Sequence, residues 1–197
     1  TNFLTMIRVI ASCLLVFLAT ASLHAQSRKG DSYDQSLKGL PLKERIVLGG
    51  GVGLSFGTAQ DFFSVSPMIG YRVTERMLAG TGFTYRYTKY KYYSPSISLI
   101  DYGINPFLRY TIFNGIFVHT EYEYLNYEYP DPVSPEKTVR LGYDSFLAGG
   151  GFLQPIGDKA AFYVVILYNF SYQDVQQSQY TPYPNPLIIR GGITVGF

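Results

Sequence analysis

From residue 45 onward, apolar and polar side chains alternate in segments separated by turn residues, and no stretch holds a convincing helical period. Eight such segments follow one another, at 45–56, 62–73, 76–90, 96–112, 116–127, 139–154, 160–172 and 187–197. Each is at least as long as the ~9–11 residues a tilted strand needs to cross a bilayer. Strands of soluble sheets run to roughly five or six. The pattern therefore predicts an all-β chain: an eight-stranded antiparallel, up-and-down transmembrane β-barrel over 45–197.

The composition of the two faces favours lipid over water outside. In the fourth segment Ile100, Tyr102, Ile104, Pro106, Leu108, Tyr110 and Ile112 share one face, against Asp101, Gly103, Asn105, Phe107, Arg109 and Thr111. The seventh sets Phe162, Val164, Ile166, Tyr168, Phe170 and Tyr172 against Ala161, Tyr163, Val165, Leu167, Asn169 and Ser171. The third and eighth repeat the division, with Arg86 and Arg190 on their more polar faces. A soluble barrel would need charges along every outward face. Here the apolar faces lack charge through their middles, as expected where a mid-depth charge costs about 2–4 kcal/mol. The sixth segment, with Gly149-Gly150-Gly151, alternates too poorly for its faces to be assigned.

Connections carry the same asymmetry. Links after the second, fourth and sixth segments are short (Val73-Thr74-Glu75-Arg76, Phe113-Asn114-Gly115, Pro155-Ile156-Gly157-Asp158). Those after the third, fifth and seventh are longer and rich in Tyr, Pro, Ser and Gln; the first outer link, 57–61, is short. Short turns at one end and long loops at the other suit an outer-membrane barrel with both termini on the periplasmic side. Tyr85, Tyr87, Tyr90, Tyr92, Tyr93, Tyr122, Tyr124, Tyr127 and Tyr129 gather toward the loop side and read as an aromatic girdle.

Ahead of the barrel, Arg8 precedes an apolar run from Val9 to Leu18 that closes through Ala19, Ala21 and Leu23-His24-Ala25. These are the parts of a cleaved secretory signal over 1–25, with a possible N-terminal extension before Met6. Cys13 lies too early in the run for a lipoprotein box, so the mature chain is expected to hold no cysteine. Residues 26–44 are polar and read as a flexible periplasmic lead-in.

Gly49-Gly50-Gly51-Val52-Gly53-Leu54-Ser55-Phe56-Gly57 with Ser66-Pro67-Met68-Ile69-Gly70-Tyr71-Arg72-Val73-Thr74 resembles small outer-membrane β-barrel proteins of Bacteroidetes-type bacteria. Gly149 to Ile156 and Tyr183-Pro184-Asn185-Pro186 look like the same group, and the plan is similar to the OmpA/OmpX transmembrane barrel. The resemblance covers 45–197 and marks strands and turns rather than chemistry. It implies a Gram-negative outer-membrane location, and no active residues carry over. The terminal Phe197 resembles the aromatic signal read by the barrel-assembly machinery.

Composition adds exclusions. Only 15% of residues are charged and the net charge is +2, without a basic block, so nucleic acid is not an expected partner. The one histidine of the barrel, His119, shares a face with Glu121 and Glu123, beside Asp101, Asn105 and Arg109 of the preceding segment. As a base for a lipid hydrolase or acyltransferase, His119 would need a place at the lipid rim and a serine within reach, and the pattern gives neither. As a metal site the group has one imidazole and two carboxylates amid arginines. The expectation is instead a structural plug of lumen charges: Arg86, Asp101, Arg109, His119, Glu121, Glu123 and Arg190. No catalytic, cofactor or metal residues are assigned.

The sequence thus predicts a non-enzymatic barrel with a structural or surface-interaction role. Its expected partners are outer-membrane lipid, lipopolysaccharide (near Lys89 and Lys91), the barrel-assembly machinery and an unidentified envelope-complex partner. A narrow channel for ions or small solutes is the alternative, and a lipid-modifying enzyme a third reading.

Overall fold

A computed structural model describes residues 37, 41–56, 58, 60–91, 96–131, 137–156, 159–172, 182–183 and 185–196. After a short 3-10 turn at Leu42–Arg45 come eight strands: β1 (Ile46–Phe56), β2 (Gln60–Arg72), β3 (Met77–Tyr90), β4 (Ile97–Phe113), β5 (Ile116–Pro130), β6 (Thr138–Ile156), β7 (Ala160–Asn169) and β8 (Leu187–Val195). Each pairs antiparallel with the next, and β8 returns to β1, closing the barrel in sequence order. The signal segment, most of the lead-in, Tyr92, Tyr93 and Phe197 lie outside the described residues.

The alternation predicted for β3, β4, β7 and β8 is the alternation observed. Along β4, Asp101, Asn105, Phe107 and Arg109 are buried while Tyr102, Ile104, Leu108 and Tyr110 are exposed. In β6 the structure supplies what the pattern withheld: Ser145 and Leu147 point inward, Phe146 and Phe152 outward. The glycine run obscured this because it occupies both faces. Inward Gly151 stands opposite Phe117 of β5, and a Cβ there would sit 2.5 Å from the Phe117 ring. The large side chain on one strand thus fills the space left by the small one on its neighbour.

The interior is divided. Phe117, Leu147, Tyr163, Val165 and Leu167 form an apolar cluster on the β5–β7 wall, with Met68, Leu153 and Ile188 packed against it. Charged side chains share the rest with neutral polar ones such as Asn105, Ser145 and Asn169 and with Leu99 and Leu125. The lumen is therefore more apolar than a plug of paired charges alone.

Strand ends differ from the predicted ones where local hydrogen bonding decides. The β5–β6 ladder runs on to Pro130↔Thr138, lengthening this hairpin at the loop end. β7 stops at Asn169 rather than residue 172 because the Asn169 side chain accepts from the Ser171 amide at 2.9 Å, turning the chain. The β4–β5 link is a tight Asn114-Gly115 turn with φ of 43° and 78°. Positive φ at both central residues suits the twist of a two-residue hairpin.

Candidate functional site

The β4–β5 register sets Arg109 opposite His119 and Phe107 opposite Glu121. Because His119, Glu121 and Glu123 alternate along one strand, all three project inward. Arg190 of β8 reaches across to both carboxylates, with Nη1 donating to Glu121 Oε1 at 2.5 Å and Nη2 to Glu123 Oε1 at 3.1 Å. The other Glu123 oxygen accepts from the Tyr183 hydroxyl. Burial beside this carboxylate pushes the Tyr183 hydroxyl's pKa up, holding its proton. The second Glu121 oxygen lies 3.2 Å from His119 Nε2, which donates, since a carboxylate only accepts.

Arg86 and Asp101 also meet inside, more loosely. Their closest approach is Nε to Oδ2 at 3.7 Å, beyond hydrogen-bond distance, while Asp101 Oδ1 accepts from the Glu128 amide at 3.0 Å. The Arg86 guanidinium lies over the Tyr183 ring, 5.7 Å from its centroid. All seven side chains of the predicted charge group therefore share the interior, five buried and Arg86 and Arg190 half-buried.

Arg109 departs from the expected pairing. It makes no ion pair among the described residues, and its Nε and Nη1 are buried without a partner. Its guanidinium rests instead on rings, 4.3 Å from the centroid of Phe117, 4.9 Å from Tyr163 and 5.9 Å from Phe107. Aromatic faces attract a cation without satisfying its N–H groups, so the contact only partly offsets burial. Sequence reasoning missed this because Tyr163 belongs to β7, which no neighbour relation links to β4. It missed Tyr183 for a similar reason: that residue comes from a connection without periodicity.

The arrangement holds charge in place. Glu121 and Glu123 are occupied by Arg190, and His119 stacks on Phe107 at 5.2 Å, its Nδ1 without a polar partner among the described residues. Among those residues no three His, Cys, Asp or Glu side chains group to hold a metal. A cavity of about 40 Å³ lies beside Arg109 and His119, and one of about 320 Å³ lies by Arg86, Glu123 and Arg190, reaching the wall between β1 and β8.

On the outer surface, Tyr85, Tyr102, Tyr122, Tyr124 and Tyr168 are exposed toward the loop end, and the Tyr122 hydroxyl donates to Asp144. Lys91 pairs with Asp61 at 2.7 Å, and Lys89 is half-buried. Comparison with protein-family models, curated proteins and solved structures finds no match to the chain.

Proposed function

We propose that this barrel spans a Gram-negative outer membrane, displays its longer loops outside, and serves a structural or surface-interaction role without a conducting pore. One observation carries the reading: the described outward positions of the strands bear no Asp, Glu, Lys, Arg or His from Asp61, Lys89 and Asp144 down to the short turns. Val52, Ile69, Phe83, Ile104, Val118, Phe146, Ile166 and Ile193 are exposed in that band, and water would penalise so much contiguous apolar surface. Lipid would not. The tyrosines at its loop-side border suit a membrane–water boundary, where ring and hydroxyl each find their preferred surroundings. A non-conducting lumen fits the same reading, because the Arg190–Glu121–Glu123 group and the Phe117–Leu147–Leu167 cluster both project into it.

The test is extraction and migration. The protein should remain with urea-washed membranes, need detergent for solubility, give a β-type circular dichroism spectrum, and migrate faster on gels unheated than boiled. A water-soluble monomer without detergent would overturn the reading. Steady conductance in planar bilayers would replace the closed barrel by a channel, and an altered lipid A or phospholipid profile on deletion would favour an enzyme. Pull-down from detergent-solubilised membranes distinguishes a lone barrel from a subunit of an envelope complex.

A further inference from the structure

The barrel closes over a short stretch of one seam. β1 extends to Phe56 and β8 starts at Leu187, yet among the described residues their ladder comprises Leu48↔Val195, Gly49↔Thr194 and Gly50↔Ile193. Every other neighbouring pair of strands is joined along a much longer ladder, of nine or more paired positions. At Gly51 the strands still touch, the Gly191 carbonyl lying 2.5 Å from where a Cβ would stand. Past Gly50↔Ile193 no further partners join this ladder among the described residues, and a Cβ at Gly53 would first meet Ser64 and Phe62 of β2.

Behind this opening lies the cavity of about 320 Å³, bounded by Val52 and Gly53 on one strand and by Ile189 and Gly191 on the other. Its inner wall carries the polar groups of Ser64, Ser66, Thr84, Arg86, Glu123 and Arg190 beside the rings of Phe62, Tyr163 and Tyr183. Its lips are apolar, with Val52 and Ile189 exposed to 69% and 73%. An apolar rim leading to a polar recess matches an amphiphile rather than a wholly polar solute. The charges choose its head. Glu123 is committed to Arg190 and Tyr183, whereas Arg86 makes no hydrogen bond among the described residues and has Asp101 only at 3.7 Å. The cavity lining itself carries two guanidiniums and one carboxylate, while Asp101 and Glu121 pair with those guanidiniums from outside the lining.

Resting on the membrane reading above, we propose that the β1–β8 seam is a lateral port that admits the anionic head of a single-chain lipid amphiphile toward Arg86, its chain staying in the bilayer. Unpaired strand edges facing hydrocarbon are costly, and a polar head lodged between them supplies hydrogen-bonding groups that acyl chains lack. Loss of the Arg86 guanidinium removes the attraction for the head; closing the seam removes the route.

The experiment uses the full mature chain in phosphatidylcholine vesicles with diazirine-bearing probes of equal chain length: a fatty acid, a lysophosphatidic acid and an uncharged monoacylglycerol. Labelling concentrated at the seam by either anionic probe, and at least fivefold below it for the uncharged one, supports the port; the ratio of the two anionic probes tells carboxylate from phosphate. R86Q should lower that labelling several-fold. Val52 and Gly191 continue the register past Gly50↔Ile193, so V52C/G191C can zip the seam, and oxidation should abolish labelling that reduction restores. If the disulfide distorts the barrel, V52W obstructs the port from the exposed face with the same expected loss. Labelling spread evenly around the outward face, or unmoved by R86Q and by V52W, would overturn the port while unheated gel mobility still marks an inserted barrel. A chain that stays soluble and does not enter vesicles fails at the membrane reading instead.

Discussion

Replacing Arg190 by Met tests whether the interior charges act as one unit. In the native barrel the guanidinium serves two carboxylates whose side chains are only 4% and 1% exposed, at 2.5 and 3.1 Å. Methionine leaves both without a cation. Breaking a buried ion pair by removing one partner costs about 3–5 kcal/mol, because the remaining charge keeps its desolvation penalty. Glu121 retains His119 and Glu123 retains Tyr183, which places R190M near the lower bound. The expected loss is about 3 kcal/mol, on the order of a hundredfold in the folding equilibrium. The chain has no tryptophan, so urea unfolding in detergent is best followed by far-ultraviolet circular dichroism and by the unheated gel band. The triple variant R190M/E121Q/E123Q removes all three charges and should recover to within about 1 kcal/mol of the parent. A cost below about 1 kcal/mol for R190M, or a triple variant no better than the single, would refute a coupled group.

Other substitutions probe separate features. Arg109→Met should leave stability within about 1 kcal/mol of the parent or raise it, since relief of unpaired N–H groups opposes the lost ring contacts; a loss above about 3 kcal/mol in the same unfolding assay contradicts this. Gly149→Ala puts a Cβ 1.9 Å from the Ile166 carbonyl oxygen and should cost at least about 1–3 kcal/mol, whereas Gly150→Ala, facing outward with its nearest atom at 3.3 Å, should be close to neutral. Equal unfolding midpoints for the two would mean that the β6–β7 approach is looser than described. Gly115→Ala, at φ 78° and with a Cβ 2.3 Å from the Leu153 carbonyl oxygen, should cost about 1–3 kcal/mol and slow refolding into vesicles; unchanged midpoint and rate would count against the tight turn.

Most of the architecture was legible in the sequence because a period of two is strict: in β4 and β7 each side chain declares its face by its character. β6 was opaque because Gly142, Gly149, Gly150 and Gly151 have no side chain to declare one. The charge group was legible only in part. Residues on neighbouring strands, such as Arg109 and His119, can be brought together from hairpin register alone. Contacts across the barrel, Arg190 to Glu121 or Arg109 to Tyr163, depend on closure and on which side chains are long enough to reach. The incomplete β1–β8 ladder left no trace in the pattern, because the alternation of a strand is the same whether or not its edge is paired.

Depth-dependent quenching tests the membrane-spanning barrel most directly, and the absence of tryptophan makes it clean. Single tryptophans are introduced at outward Ile166, at border Tyr122 and at inward Thr84, in vesicles whose acyl chains carry bromine at defined depths. The account predicts strongest quenching of Ile166→Trp by bromine near the bilayer centre, of Tyr122→Trp by bromine near the headgroups, and weak quenching of Thr84→Trp at every depth. Equal quenching at all three positions, or tryptophans that stay in water with none quenched, would contradict it.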